Sequence, residues 1–278
     1  MEGEDDVEVA LVALSDPVKD LSFLDSLVPF LEKKGGHVTI GRSVYEETGG
    51  KAKADEVNSF FRDKSVKRIY DISGGDIANE CLKFLDFESI ASSNAMFYGY
   101  SDLTTVINAI FKTTGKKSVL MQIRNIALSE KRKKEFFSDE NSLFTFHHRF
   151  VQGEYMDGTI VGGNVRCLLK LMGTEYFPDT DGKILFLEAM SGKKEKIVTY
   201  FSQLDEAGIF GKVRGILLGT FLELEKDGEP VEEILLKRDF NVRVPVAVTS
   251  EIGHGKDSKA LLIGGNYKIE EGNLPFMA

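Results

Sequence analysis

Apolar residues fall in short runs separated by polar, periodic stretches, and this alternation predicts strand after helix along the first half of the chain. Residues 7–14 form an apolar run with β-branched members and read as a buried strand. Asp16-Pro17 then opens a helix with apolar positions at Leu21, Leu24, Leu27, Val28 and Leu31. Gly35-Gly36 ends it, and 37–40 reads as a second strand. The pattern continues with a helix over 54–61, a strand over 67–72, Gly74-Gly75, a helix over 76–87 and a strand over 95–100. A helix through Phe111 stops at Gly115, and 118–123 reads as a fifth strand. Strands and helices alternating at this length predict a parallel sheet with helices on both faces. Ligands of such sheets bind beyond the carboxyl ends of the strands, which is where Ser15, Gly74-Gly75 and Ser101 fall.

The rhythm breaks at 129–158, a charged stretch with several Phe and no clear period, read as a connection passing over the surface. This divides the chain into residues 1–128, a connection, and a second ordered region over 159–278. There Gly162-Gly163-Asn164 marks a strand–helix junction. Residues 183–188 and 213–221 are apolar strands, and 194–207 is an amphipathic helix capped by Gly208. Short strands follow at 244–249, 260–263 and 267–269.

Charge narrows the function classes. The net charge of −9 argues against nucleic acid, whose phosphates are held by clustered Lys and Arg. The basic run Lys131-Arg132-Lys133-Lys134 is flanked by Glu130 and Glu135 and reads as a solvated helix face. No apolar run reaches the ~18 residues that cross a bilayer. The acidic start Met1-Glu2-Gly3-Glu4-Asp5-Asp6 is unlike a secretory signal, so a cytoplasmic location is expected. Cys81 and Cys167 lie in apolar helical stretches outside any CxxC pattern, as free thiols in a reducing compartment do. His147-His148 has no matching carboxylate or cysteine spacing, and no metal is expected.

Four features could carry chemistry. Gly99-Tyr100-Ser101-Asp102 takes a strand into a helix through Gly-x-Ser, which exposes a serine hydroxyl above backbone N–H groups. The same spacing fits Ser101 as an ordinary helix N-cap. Gly74-Gly75 lets a ligand approach bare backbone, although no full G-x-G-x-x-G or Walker lysine accompanies it. His254 stands between two glycines on a loop, with room for a substrate beside its ring. Glu188 ends an apolar strand, where it either orients a histidine or simply reaches solvent.

Together these motifs resemble the LD-carboxypeptidases, or muramoyltetrapeptide carboxypeptidases, a family that includes the microcin C self-immunity peptidases. The resemblance runs through Gly74-Gly75 and Asn79, Gly99-Tyr100-Ser101-Asp102-Leu103-Thr104, Gly162-Gly163-Asn164, the strand ending at Glu188, and Gly253-His254-Gly255. It implies a flavodoxin-like N-terminal α/β domain, a C-terminal β-rich α/β domain and an active site between them. It also implies Ser101 as nucleophile, His254 as base and Glu188 as orienting acid. Backbone N–H groups of Asp102 and Gly75 would form the oxyanion hole, and Gly74, Gly75 and Asn79 would meet the substrate. The implied reaction releases terminal D-Ala from a murein tetrapeptide, in a homodimer that needs no cofactor. A microcin-type hydrolase of peptidyl-nucleotides and a non-catalytic murein-fragment binder are the alternatives. The chain departs from the family at Ser73, where Arg is frequent, at 117–123, where His-Gly-Pro is frequent, and at Ala189, where Asp is frequent. It also has no Trp.

Overall fold

Five of the expected apolar runs become neighbours in one parallel array. The computed structural model describes residues 7–34 and 36–277, so the acidic start and Gly35 lie outside the described residues. The strands are β1 (Val7–Val12), β2 (Gly36–Ile40), β3 (Val66–Asp71), β4 (Met96–Gly99), β5 (Ser118–Leu120), β6 (Arg149–Gln152) and β7 (Tyr155–Asn164). They continue as β8 (Ile184–Ala189), β9 (Gly215–Phe221), β10 (Val246–Val248), β11 (Leu261–Ile263), β12 (Asn266–Glu270) and β13 (Phe276–Met277). A six-stranded sheet has the order β11-β5-β4-β3-β1-β2. Strands β1 to β5 are parallel and follow the flavodoxin order. The strands are apolar throughout because both faces are covered. Val9, Leu11 and Ala13 enter one core layer with Leu27 and Leu31 of the helix Leu24–Glu32. Ala10, Val12 and Leu14 enter the other, with Val57 of Gly50–Arg62 and Val106 of Thr104–Thr114.

The second sheet has seven strands in the order β13-β12-β7-β8-β9-β10-β6. Its centre, β7 through β10, is parallel, and antiparallel strands are added at both sides. Leu185 and Leu187 pack with Ile197, Phe201 and Leu204 of the helix Lys194–Glu206. Ile184 and Phe186 point the other way and join the core layer of the first sheet, so the two sheets share buried contacts. The seam is tight. The Asn108 amide donates to the Gly162 carbonyl (2.9 Å) and accepts from the Gly162 N–H (2.9 Å). A Cβ at Gly163 would lie 2.5 Å from Thr104 Oγ1, so a glycine is required where the strand crosses the helix.

Several local expectations change. The first helix begins at Leu24 rather than after Pro17, because the Asp20 carboxylate accepts the Ser22 N–H and holds 16–23 as a loop. The helix expected at 76–87 splits into a 3-10 turn, Ala78–Phe84, and a helix, Phe87–Ser92, that Asp86 restarts by accepting the Ser89 N–H. The stretch 129–158 is ordered structure and not a surface connection. It holds the helix Glu130–Ser138, the 3-10 turn Glu140–Phe144, β6 and the start of β7, and it buries Phe136, Leu143 and Phe146. Arg132 of the basic run is buried too, with its Nε donating to the Asp257 carbonyl (2.9 Å). The least foreseeable feature is β11, which leaves the second half of the chain and pairs antiparallel with β5. Among the described residues no helix is long and apolar enough to cross a membrane.

Candidate active site

The carboxyl ends of β1, β3 and β4 open toward the second sheet, and the chemistry gathers there. After β4 the chain passes an extended Tyr100 and enters a 3-10 turn, Ser101–Leu103, before the helix Thr104–Thr114. Ser101 has φ 56°, the only positive φ at a non-glycine among the described residues. That left-handed conformation costs about 1–2 kcal/mol for a residue with a Cβ. The N-cap positions of the 3-10 turn and of the helix fall at Tyr100 and Leu103, so Ser101 is not a cap. Its Oγ lies 3.0 Å from His254 Nε2.

His254 Nδ1 lies 2.5 Å from Glu188 Oε2, and Glu188 Oε1 accepts from Asn164 Nδ2 at 3.0 Å. Glu188 is 0% exposed, which removes the reading of a carboxylate reaching solvent. A buried carboxylate survives only when its lone pairs are satisfied, and Asn164, its register partner on β7, supplies one donor. The His254 loop reaches the site because Gly253, at φ 150°, passes where a Cβ would lie 1.8 Å from Thr220 Oγ1. The Tyr100 ring lies beside the imidazole, with centroids 4.9 Å apart, and restricts its rotation. Burial, with the Glu188 carboxylate adding to it, raises the Tyr100 phenol well above its ordinary value and keeps it neutral.

Gly74 and Gly75 follow β3 and line the same cleft, of about 460 Å³, as Ser101 and His254. Gly75 has φ 135°, and a Cβ there would strike the Asp16 carboxyl at 2.2 Å. Asp102 is the second residue of the 3-10 turn, so its N–H has no partner within that turn. The Gly75 and Asp102 backbones thus enter from adjacent strand ends. Asn79 does not join them. It lies exposed on the 3-10 turn after β3 and faces a separate depression with Lys83 and Tyr176.

Under the cleft runs a buried polar chain that motif reading did not reveal. The Asp102 carboxylate accepts from Ser15 Oγ (2.7 Å), the Ala78 N–H (2.8 Å) and Lys170 Nζ (2.5 Å). The Ser15 N–H donates to Ser73 Oγ (3.0 Å), which donates to Asp71 (2.5 Å). Arg166 Nη2 donates to the Gly75 carbonyl (3.1 Å). Arg166 and Lys170 stand four apart at and just beyond the helix Val165–Leu169, so one short element of the second domain grips both the Gly75 and Asp102 turns. That pair of cations after Gly162-Gly163-Asn164 was the available signal. The two cysteines are buried, and burial pushes both thiols up to about 12, in keeping with inert core residues.

Burial raises the Asp71 carboxyl to about 6, against hydrogen bonds from Ser73 and the Leu14 N–H that lower it. The native state therefore favours the protonated form. Its stabilising contribution is complete below the model-peptide value of 3.8 and is lost as pH rises through about 6. A carboxyl-carbon NMR titration of Asp71 is expected to have its midpoint near 6. A midpoint at the ordinary aspartate value would show that the hydrogen bonds outweigh desolvation.

Ser101, His254 and Glu188 are joined by hydrogen bonds at the carboxyl ends of a flavodoxin-ordered sheet, and the fold with its two matched domain profiles defines a two-domain hydrolase of the serine-peptidase class. The chain belongs to the LD-carboxypeptidase family, whose N-terminal domain profile matches residues 9–121 and whose C-terminal domain profile matches 157–269. A probable murein peptide carboxypeptidase of Bacillus subtilis is 28% identical over 278 residues, covering 92% of this chain and 86% of the relative. The microcin C7 self-immunity protein of Escherichia coli is 27% identical over 291 residues, covering 88% and 85%. The crystal structure of a muramoyltetrapeptide carboxypeptidase from Oxalobacter formigenes superposes with a TM-score of 0.83 at 25% identity, covering 97% of each chain.

Proposed function

We propose that this protein is a serine carboxypeptidase that hydrolyses the bond between an L-centre and a terminal D-amino acid, releasing D-Ala from murein tetrapeptide during peptidoglycan recycling. The continuous run of hydrogen bonds from Ser101 Oγ through His254 to Glu188 carries the reading. His254 Nε2 accepts the Ser101 proton as Oγ attacks the scissile carbonyl. Glu188 holds Nδ1–H and so presents the Nε2 lone pair to the serine. The carbonyl oxygen becomes an oxyanion facing the Gly75 and Asp102 N–H groups. Collapse breaks the C–N bond, and His254 returns the proton to the departing amine of D-Ala. A water molecule, deprotonated by His254, then hydrolyses the acyl-enzyme and regenerates Ser101.

The murein assignment draws support from the names of the relatives and from a cleft of peptide size. The same reading puts the reaction in the cytoplasm, in keeping with two unpaired thiols, and in a homodimer. A microcin-type hydrolase remains the second reading because of the self-immunity relative. The chain offers no tryptophan to stack on a nucleobase, which favours the peptide. The test is D-Ala release from L-Ala-γ-D-Glu-meso-diaminopimelate-D-Ala and its L-Lys analogue. Release from either supports the assignment, and release from neither removes it.

Glu188→Gln probes the relay without changing buried volume. It is expected to lower kcat by roughly 10²–10⁴-fold, because a neutral amide no longer enforces the tautomer or balances the imidazolium. KM is expected to change little. A kcat within tenfold of wild type would show that Glu188 is not the orienting acid.

A further inference from the structure

Arg124 stands just beyond β5, the neighbour of the strand that delivers Ser101. Strands β4 and β5 are hydrogen-bonded neighbours, so the two residues follow adjacent strand ends. Both line it, together with Gln122 and Asn125. The guanidinium lies over the Phe23 ring, 5.1 Å from its centroid, a contact that fixes the plane of the group. Among the described residues no carboxylate pairs with it. Asp71, the nearby buried acid, is committed to Leu14 and Ser73. Burial lowers the Arg124 pKa, and only the Asp71 charge opposes this. A half-buried arginine without an acceptor is costly, and a carboxylate supplied from outside meets its geometry in a bidentate pair.

We propose that Arg124 binds the terminal carboxylate of the substrate and so makes the enzyme a carboxypeptidase rather than an endopeptidase. This rests on the serine-hydrolase reading above. In a peptide the terminal carboxylate carbon lies within about 4 Å of the scissile carbonyl carbon, so its receptor must come from an element adjacent to the nucleophile. The end of β5 is such an element. Ser73 offers no cation on the other side of the cleft, and Lys19, the other cation lining it, sits exposed on the 16–23 loop with no ring to hold it.

The test compares the tetrapeptide acid with its C-terminal amide. Wild type is expected to favour the acid by roughly 10- to 100-fold in kcat/KM, the range of a hydrogen-bonded charge. Arg124→Gln is expected to erase that preference through KM, leaving kcat nearly unchanged, and Arg124→Lys is expected to recover part of it. The same comparison by calorimetry on Ser101→Ala, with and without Arg124→Gln, reads the carboxylate contact independently of turnover. No D-Ala release by wild type overturns the proposed function alone if binding to Ser101→Ala still prefers the acid through Arg124. A preference that survives Arg124→Gln, or that vanishes in Lys19→Gln instead, overturns the assignment of Arg124. So does the absence of any preference or any binding.

Discussion

Ser101→Ala is expected to reduce D-Ala release by at least about 10⁴-fold, because the relay loses the atom that forms the acyl bond. Nothing else in the cleft substitutes for it. Both cysteines are buried with raised thiols, and Ser15 and Ser73 are consumed in the polar chain to Asp102 and Asp71. Peptide affinity should persist, since the Gly75 and Asp102 backbones are untouched. The strained turn adds a second readout. Alanine keeps the Cβ and therefore the cost of φ 56°, whereas Ser101→Gly relieves it. The glycine variant should be more stable than the alanine variant by about 1 kcal/mol, although both are inactive. Equal unfolding midpoints in urea would show that Ser101 stores no strain. Residual activity within a hundredfold of wild type would reassign the nucleophile.

Lys170→Met is expected to be the most destabilising single change at the site. Asp102 is 0% exposed, and Lys170 is its only cationic partner among the described residues, at 2.5 Å with 20% of the lysine side chain exposed. Removing one member of a buried pair leaves an uncompensated charge, at a cost of about 3–5 kcal/mol. Partial exposure of the lysine puts the expected loss at the lower end of that range. The remedy follows from the geometry. Ser15 Oγ and the Ala78 N–H both donate to Oδ2, while Lys170 approaches Oδ1. In the double variant Lys170→Met/Asp102→Asn, the introduced amide can keep its oxygen toward the two donors and turn its nitrogen to the former lysine side. Most of the lost stability should return, but the turn after Ser101 would no longer be held from the second domain, and kcat should stay depressed. Urea unfolding checks the first statement and D-Ala release the second. A single variant that loses under about 1 kcal/mol would mean that the two neutral donors alone satisfy Asp102.

The parts of the site that were legible in sequence share a local cause. Ser101 follows Gly-x at a strand end, Glu188 closes an apolar run, and His254 stands between glycines, so each announces itself within a few residues. Local pattern alone did not decide between cap and nucleophile at Ser101. The partner that sets Ser101 apart from a plain cap is a histidine 153 positions away, at 3.0 Å. The polar chain beneath the cleft was illegible for the same reason. Ser15, Asp71, Ser73 and Asp102 look like ordinary polar loop residues until separations of 57, 58 and 87 positions are closed by the fold. Asn164 could be seen as part of a motif, but its role needs the register that sets it opposite Glu188. The stretch 129–158 failed on periodicity, because its buried side chains sit on short elements that never complete a helical repeat. Asn79 failed because sequence adjacency to Gly74-Gly75 says nothing about direction once the 3-10 turn carries it round to another face.

The pairing of β11 with β5 has a consequence for the order of events during synthesis. Residues 118–120 are made early, yet their outer neighbour, 261–263, emerges only after β6 through β10 have been made. Until then the β5 edge of the first sheet, beside the strand that leads into Ser101, stays open, with unpaired backbone groups. The histidine loop is delivered just before that closing strand, so the nascent protein gains the His254 contact to Ser101 and seals its sheet almost together. A ribosome stalled before residue 254 would hold the Ser101 turn without the histidine that hydrogen-bonds its hydroxyl.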